Sequence, residues 1–162
     1  MKKLISHELS NVNEVSLSKG LARLANESEI DILAHWFFLF QEEENLFPKK
    51  TAEGFIQLVQ NLVNKSVLYV WEINNEIVSM AAILRETPNF QIVGAVYTPV
   101  NQRKKGYASS LVHFLSQFIL DNGKKAGLFT NASNPTSNKI YQKIGYNPNG
   151  IVSDIEFEMI SE

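Results

Sequence analysis

The feature that most limits the fold lies between residues 90 and 130. A strand-like run, Phe90 to Thr98, is closed by Pro99. A polar loop, Asn101-Gln102-Arg103-Lys104-Lys105-Gly106, leads into a helical pattern from about Tyr107 to Asn122. Its apolar face carries Leu111, Leu115, Phe118 and Ile119, and Gly123 supplies the stop. Ala126 to Thr130 then reads as a second strand. A strand–helix–strand unit is a crossover, and crossovers join parallel strands. Any sheet this chain builds therefore contains a parallel pair.

Hairpin signals make the rest of that sheet antiparallel. Ser66 to Ile73 and Ile77 to Arg85 are rich in β-branched and aromatic residues and flank Asn74-Asn75, a pair that tolerates positive φ. Pro88-Asn89 turns the chain into Phe90. Two helices precede the hairpin. The first, about Glu29 to Glu44, has Ile30, Leu33, Ala34, Phe37 and Phe38 on one face, with Ser28 as its N-cap and Asp31 three residues on. The second, about Ala52 to Asn64, is capped by Thr51 and buries Phe55, Ile56, Val59, Leu62 and Val63. Leu21 to Ala25 is a weak strand. After the crossover, Asn134-Pro135 opens a helix ended by Gly145, and a last strand runs from about Ser153 to Ile160. The class is α/β with a mixed sheet. We read residues 1–162 as one domain, with residues 1–20 as a short N-terminal extension of unassigned structure; Leu4-Ile5 and Val15-Leu17 each fit a short strand or a loop.

Composition narrows the function classes. Lys plus Arg is 15 and Asp plus Glu is 17, so the basic surplus usual for a nucleic-acid binder is missing. The chain has no cysteine, which removes disulfides, thiolate metal sites and a cysteine nucleophile. His7, His35 and His113 are scattered and show no metal-ligand spacing. Met1 to Glu8 has no apolar run behind its lysines, and the longest apolar stretch, Ile32 to Phe40, is about half of a membrane span. We expect a cytoplasmic protein without a metal, a nucleic-acid partner or a membrane partner.

The crossover loop is the segment suited to chemistry. Backbone N–H groups at a helix N-terminus lack intrahelical acceptors and carry the positive end of the dipole, so the start at Tyr107 suits phosphate. Gly106 and Ala108 keep the approach free of bulk, and Arg103, Lys104 and Lys105 add cationic donors. The spacing is neither a Walker loop nor a dinucleotide fingerprint. No Gly-x-Ser-x-Gly elbow occurs either.

Two strings together resemble the GCN5-related N-acetyltransferase family. Arg103-x-x-Gly106-x-Ala108 matches its Arg/Gln-x-x-Gly-x-Gly/Ala signature. Asn134-Pro135-x-Ser137-x-x-Ile140-Tyr141-x-x-x-Gly145-Tyr146 matches its asparagine–helix–tyrosine segment. The resemblance covers residues 66–160 well and residues 21–65 in element order only, and Lys104 stands where the family often has glycine. It implies that family's fold, a mixed, mostly antiparallel sheet with helices on both faces, and acetyl-CoA as acyl donor. The amides of Arg103, Lys104, Lys105, Gly106, Tyr107, Ala108 and Ser109 would hold the pyrophosphate. Backbone groups of Val96, Tyr97 and Thr98 would pair with the pantetheine arm, with the N–H of Val96 or Tyr97 as oxyanion donor. Asn134 and Ser137 would lie alongside the same arm.

Tyr141 is the expected general acid toward the departing thiolate, with a side chain placed to contact the donor as well. A free phenol, at about 10, is a weaker acid than a thiol at about 8.5, so this role needs the phenol against a poorly solvated sulfur. The general base stays open between Glu86, Glu42, Glu43, Glu44 and water. The implied reaction is direct transfer to a primary amine of a small molecule or peptide in a ternary complex. Two alternatives share the fold: a non-catalytic acyl-CoA-binding or sensing module, and a protein lysine acetyltransferase. Trp36, Phe37, Phe38 and Phe40 crowd one helix, leaving a ring for an apolar acceptor pocket or a homodimer contact.

Overall fold

The computed structural model describes residues 3–153. Its elements are β1 (Lys3–Leu9), β2 (Leu21–Leu24), α1 (Ile30–Glu44), α2 (Ala52–Asn64), β3 (Leu68–Ile73), β4 (Glu76–Glu86), β5 (Phe90–Tyr97), α3 (Tyr107–Asp121), β6 (Lys125–Asn131), α4 (Pro135–Ile144) and β7 (Asn147–Ser153). The strands form one sheet in the order β2-β3-β4-β5-β6-β1-β7. Every adjacent pair is antiparallel except β5–β6, which runs parallel as the crossover requires. This is the mixed, mostly antiparallel α/β architecture expected.

The sheet carries a core on each face. Alternating strand residues divide between them: Leu68, Val70, Met80 and Ala82 pack under α1 and α2, against Leu33, Phe37, Phe55 and Val59. Tyr69, Trp71, Ala81 and Ile83 pack under α3, against Leu111, Leu115 and Ile119. Phe37 and Phe55 stack at 5.9 Å and lock α1 to α2. Two predicted stripe residues lie outside: Ile56 and Phe118 are exposed, while Leu58 and Ser116 are buried in their stead. Ser116 fits because its Oγ donates to Val112 O at 2.6 Å and meets Tyr146 Oη at 2.7 Å.

Three expectations change at the chain's ends. Ser28 does not cap α1: a 3₁₀ turn, Glu27–Glu29, runs into the helix and is itself capped by Asn26, while Glu29 at the α1 N-cap position makes no side-chain cap bond. Asn26 Oδ1 accepts from Ser28 N at 3.1 Å, and Glu29 Oε1 accepts from Asn26 N at 3.0 Å. Asparagine caps as well as serine, and Glu29 completes the box that Asp31 only mimics. Residues 3–9, read as part of an extension, are an interior strand: β1 lies between β6 and β7 and pairs with both. Residues 15–17 are loop. The last strand, expected from about Ser153 to Ile160, falls outside the described residues apart from Ser153. The strand found instead, β7, contains Pro148 and Gly150, poor strand formers that its edge position tolerates.

The arrangement that builds a site is a parting of strands. β5 and β6 pair only from Phe90↔Lys125 to Val93↔Leu128. Beyond that point β6 stays with β1, through Leu4↔Asn131. β5 stays with β4 but carries one extra residue between Ala82↔Gly94 and Met80↔Tyr97. The bulge places Ala95 at φ +51°, a left-handed conformation that costs a side-chain-bearing residue about 1–2 kcal/mol. The two strands therefore diverge into a wedge, with the β6-facing edge of β5 outside the ladder from Gly94 to Tyr97.

Candidate functional site

Two cavities occupy the wedge. An outer groove of about 480 Å³ runs from the β5 end over the start of α3, lined by Tyr97, Thr98, Arg103, Lys104 and Gly106 to Ser109. An inner pocket of about 110 Å³ lies between the parted strands, lined by Gly94 to Val96, Phe129 to Asn131, Leu4 and Leu46. Phe40, Glu44, Val96, Asn134, Ser137 and Tyr141 line both, so the two cavities meet at these six residues.

The outer end is a backbone cradle. Lys104 at φ +65° and Gly106 at φ +80° turn the loop so that α3 begins without a side-chain cap. The amides of Tyr107, Ala108 and Ser109 thus lack an intrahelical acceptor and line the groove. Gly106 suits this turn twice over. Its φ disfavours any side chain, and an added Cβ would come within 2.8 Å of Ser18 Oγ. Ser18 is a brace that the sequence does not betray. Its Oγ donates to Lys105 O at 2.5 Å, and its N–H donates to Ser110 Oγ at 2.8 Å. Ser110 Oγ in turn donates to Gly106 O at 2.8 Å. Isolated serines in polar loops carry no periodic signal, so only the packing identifies them.

The three loop cations, expected as donors near the helix start, have different partners. The Arg103 guanidinium donates to both oxygens of Glu43, at 2.7 and 2.9 Å, and its Nε donates to Thr98 O at 2.8 Å. It also lies 5.5 Å over the Tyr97 ring. Lys105 is not among the residues that line the groove; its Nζ donates at 3.2 Å to Oε1 of Gln102, which does line it. Lys104 lines the groove and is exposed. The carbonyls of Tyr97 and Thr98 accept from Ser79 Oγ and Arg103 Nε, whereas Val96 borders both cavities.

On the opposite wall, α4 presents Asn134, Ser137 and Tyr141. Asn134 is the N-cap, its Oδ1 accepting from Ser137 N at 3.1 Å. Burial, then the neighbouring Tyr146 and Glu44, pushes the Tyr141 phenol above its ordinary value, so it holds its proton firmly. Tyr141 meets the Tyr146 ring edge-on at 6.4 Å. Tyr146 is fully buried, and burial pushes its phenol up to about 12 against the opposing hydrogen bond from Ser116.

Behind this wall lies a buried polar chain. His7 Nε2 sits 2.7 Å from Thr130 Oγ1, which donates to Asn138 Oδ1. Asn138 Nδ2 donates to Asn134 O at 2.7 Å and to Asn131 O at 3.3 Å. Nδ1 of His7 is buried without a partner. A tautomer with the proton on Nε2 leaves only a lone pair there, the lesser cost. The chain ties β1 and β6 to the start of α4, so His7 supports the site from outside it. Of the other histidines, His35 is exposed and His113 half-exposed.

Comparisons with known proteins agree with this geometry. Residues 69–150 match the family model described as FR47-like protein. A sequence search of curated proteins finds no match. Among solved structures, the chain is similar to an acetyltransferase of the GNAT family from Colwellia psychrerythraea, with TM-score 0.70 and 12% identity over 91% of this chain and 53% of that one. A predicted acetyltransferase with acetyl-CoA from Clostridium acetobutylicum gives TM-score 0.65 and 17% identity over 88% and 99%. AAC(6')-Iy in complex with the bisubstrate analogue CoA-S-monomethyl-acetylneamine gives TM-score 0.65 and 15% identity over 85% and 97%. Against three of the matched structures the chain spans 61%, 53% and 48% of the matched length. At these identities the structures establish a shared fold, and the family model spans just over half of the chain. The chain therefore belongs to the FR47-like proteins, within the GCN5-related N-acetyltransferase family.

Proposed function

We propose that this chain transfers an acetyl group from acetyl-CoA to a primary amine by direct transfer, with both substrates bound together. The observation that carries this is the meeting of two cavities at Val96 and Tyr141, one of them ending on the uncapped start of α3. A donor with a phosphate-rich end and a long amide-bearing arm suits the outer groove. Its pyrophosphate would take the amides of Tyr107, Ala108 and Ser109, with Lys104 nearby. Gly106 suits that role, because its positive φ sets the turn that opens α3 and a Cβ there would displace Ser18, which braces the loop.

The chain's own groups then have distinct tasks. The unladdered edge of β5 would hold the arm as an added strand, with the Val96 N–H best placed to polarise the thioester carbonyl. Val96 is preferred over Tyr97 because it borders both cavities and Tyr97 borders one. Tyr141 would give its proton to the departing sulfur. Its phenol is raised by burial, and the same desolvation raises a thiolate formed beside it, so the transfer stays within reach. No protein thiol exists to carry a covalent acyl group, which favours direct attack by the amine.

A panel of amines and peptides incubated with acetyl-CoA, with free thiol as readout, tests the reading alongside CoA titration calorimetry. Turnover of at least one amine with micromolar CoA binding supports it. CoA binding without turnover of any acceptor points to a sensing module on the same fold, and absence of CoA binding overturns the donor assignment.

A further inference from the structure

Helix α4 carries three of the six residues at which the two cavities meet, Asn134 at its cap and Ser137 and Tyr141 within it. Its two halves are held differently. The second half is anchored by apolar burial, with Ile144 fully buried and Tyr141 packed against the same core. The first half has no such anchor. Pro135, Thr136, Lys139 and Ile140 are exposed, and the two half-buried residues, Ser137 and Asn138, are polar. A surface helix is ordinarily held by an apolar stripe. Where the stripe is missing, polar contacts must hold the start of the helix, and Asn138 supplies them.

The carboxamide of Asn138 is used in full. Its Oδ1 accepts from Thr130 Oγ1 and stands 3.2 Å from His7 Nε2. Its Nδ2 donates to the carbonyls of Asn134 and Asn131, at the cap of α4 and the end of β6. An amide offers two acceptor sites and two donor hydrogens, so no capacity is left over. His7 and Thr130 are 2% and 5% exposed, which puts the chain out of reach of competing water. Removing one link leaves a buried polar group unpaired, so the links act as a unit. Asn138 lines neither cavity. It lies three residues before Tyr141, hence beside it on one face of α4. A helix is stiff across one turn, so a shift at Asn138 is carried to the phenol.

We propose that Asn138, clamped by Thr130 and His7, is a positioning residue: it holds the first half of α4 to β6 and so keeps the Tyr141 phenol where the two cavities meet. This rests on the acetyltransferase reading and on Tyr141 as its acid. Asn138 moves no proton and touches neither substrate. Its effect is on distance, and a misplacement of about 1 Å costs a reaction about 10²-fold.

The test is a double-mutant cycle with Tyr141, read by single-turnover kcat and CoA calorimetry on variants checked for folding by thermal melts. Asn138→Leu, of similar size, should lower kcat about 10–100-fold in the wild-type background, with CoA affinity within fivefold. In the Tyr141→Phe background the same change should lower kcat less than threefold, because no proton donor is left to position. Thr130→Val, also similar in size, should lower kcat at least about tenfold, whereas Thr130→Ser, which keeps the hydroxyl, should recover at least a third of the wild-type kcat. If Asn138→Leu does not fold, the Thr130 variants run through the same two backgrounds decide. An equal loss in both backgrounds assigns the chain a general structural role and overturns the proposal. So does an Asn138→Leu protein with kcat within threefold of the wild type, a loss confined to CoA affinity, or an unchanged kcat in Tyr141→Phe. Each of these leaves the acetyltransferase reading standing. Failure of the wild type to acetylate any amine while binding CoA overturns that reading and this inference together.

Discussion

Replacing Gly106 with alanine probes the cradle at the start of α3 directly. The residue sits at φ +80°, where a side-chain-bearing residue costs about 1–2 kcal/mol. The new Cβ would also stand 2.8 Å from Ser18 Oγ, well inside contact distance. Ser18 must then shift, weakening its bond to Lys105 O, a loss of about 1 kcal/mol. The total is about 2–3 kcal/mol, and it can emerge in two places. If the loop keeps its conformation, the free protein carries the strain, and the melting temperature falls by roughly 4–12 °C. If the loop relaxes, the melting temperature holds, but CoA must restore the cradle, and its dissociation constant rises about 30–150-fold. Thermal melts and CoA calorimetry on one sample read both. Ser18→Ala alone should cost about 1 kcal/mol. The double variant should cost less than the sum by about 1 kcal/mol, because alanine at 18 removes the oxygen that the new Cβ meets. A Gly106→Ala protein with CoA affinity within twofold and melting within 1 °C of the wild type, or a strictly additive double variant, would refute the reasoning.

Other outcomes follow from the same residues. Tyr141→Phe should lower kcat about 10²-fold with CoA affinity nearly unchanged, measured by single-turnover kinetics and calorimetry; an unchanged kcat removes the phenol from proton transfer. His7 is held neutral by burial, so its value when folded lies below the ordinary 6.5. The unfolded chain then binds the proton first as pH falls, and stability is full above about pH 6.5 and declines below it. Urea melts across pH 5–8 should show that decline in the wild type and a shallower one in His7→Gln. Ser116→Ala leaves the fully buried Tyr146 hydroxyl without its 2.7 Å partner and should cost about 1–3 kcal/mol by denaturant melts, with CoA affinity intact.

The parts of this molecule that are legible in its sequence are those set by neighbours along the chain. Thr51 three residues before Gly54, Asn134 three residues before Ser137, and Phe55, Val59 and Leu62 of the α2 stripe each act within a turn or two, and each falls where expected. The arginine–glycine–alanine loop is local as well, because the uncapped amides it presents belong to a helix start. Strand β1 is less legible. Its buried residues, Leu4, His7 and Leu9, break strict alternation, and a buried histidine is understood only once Thr130 and Asn138 stand beside it, over a hundred positions away. Arg103 illustrates the same limit at the site. Its position in the motif was readable, but its pairing with Glu43 joins two residues 60 apart in sequence.

By itself the sequence determined the crossover, and with it a parallel pair in an otherwise antiparallel sheet, because chain connectivity admits no other join at that length. It also placed a glycine-bearing loop at the start of α3 and a tyrosine on α4. Only the tertiary structure decided where the strands part. β5 stays with β4 through a bulge at Ala95, and β6 is held by β1 from the far end of the chain. Only it, too, decided which of four carboxylates faces the resulting pocket, since Glu42, Glu43 and Glu44 are consecutive on one helix and differ in direction alone. A helix turns about 100° per residue, so their chemistry is alike in the sequence and is separated by what each side of α1 is packed against.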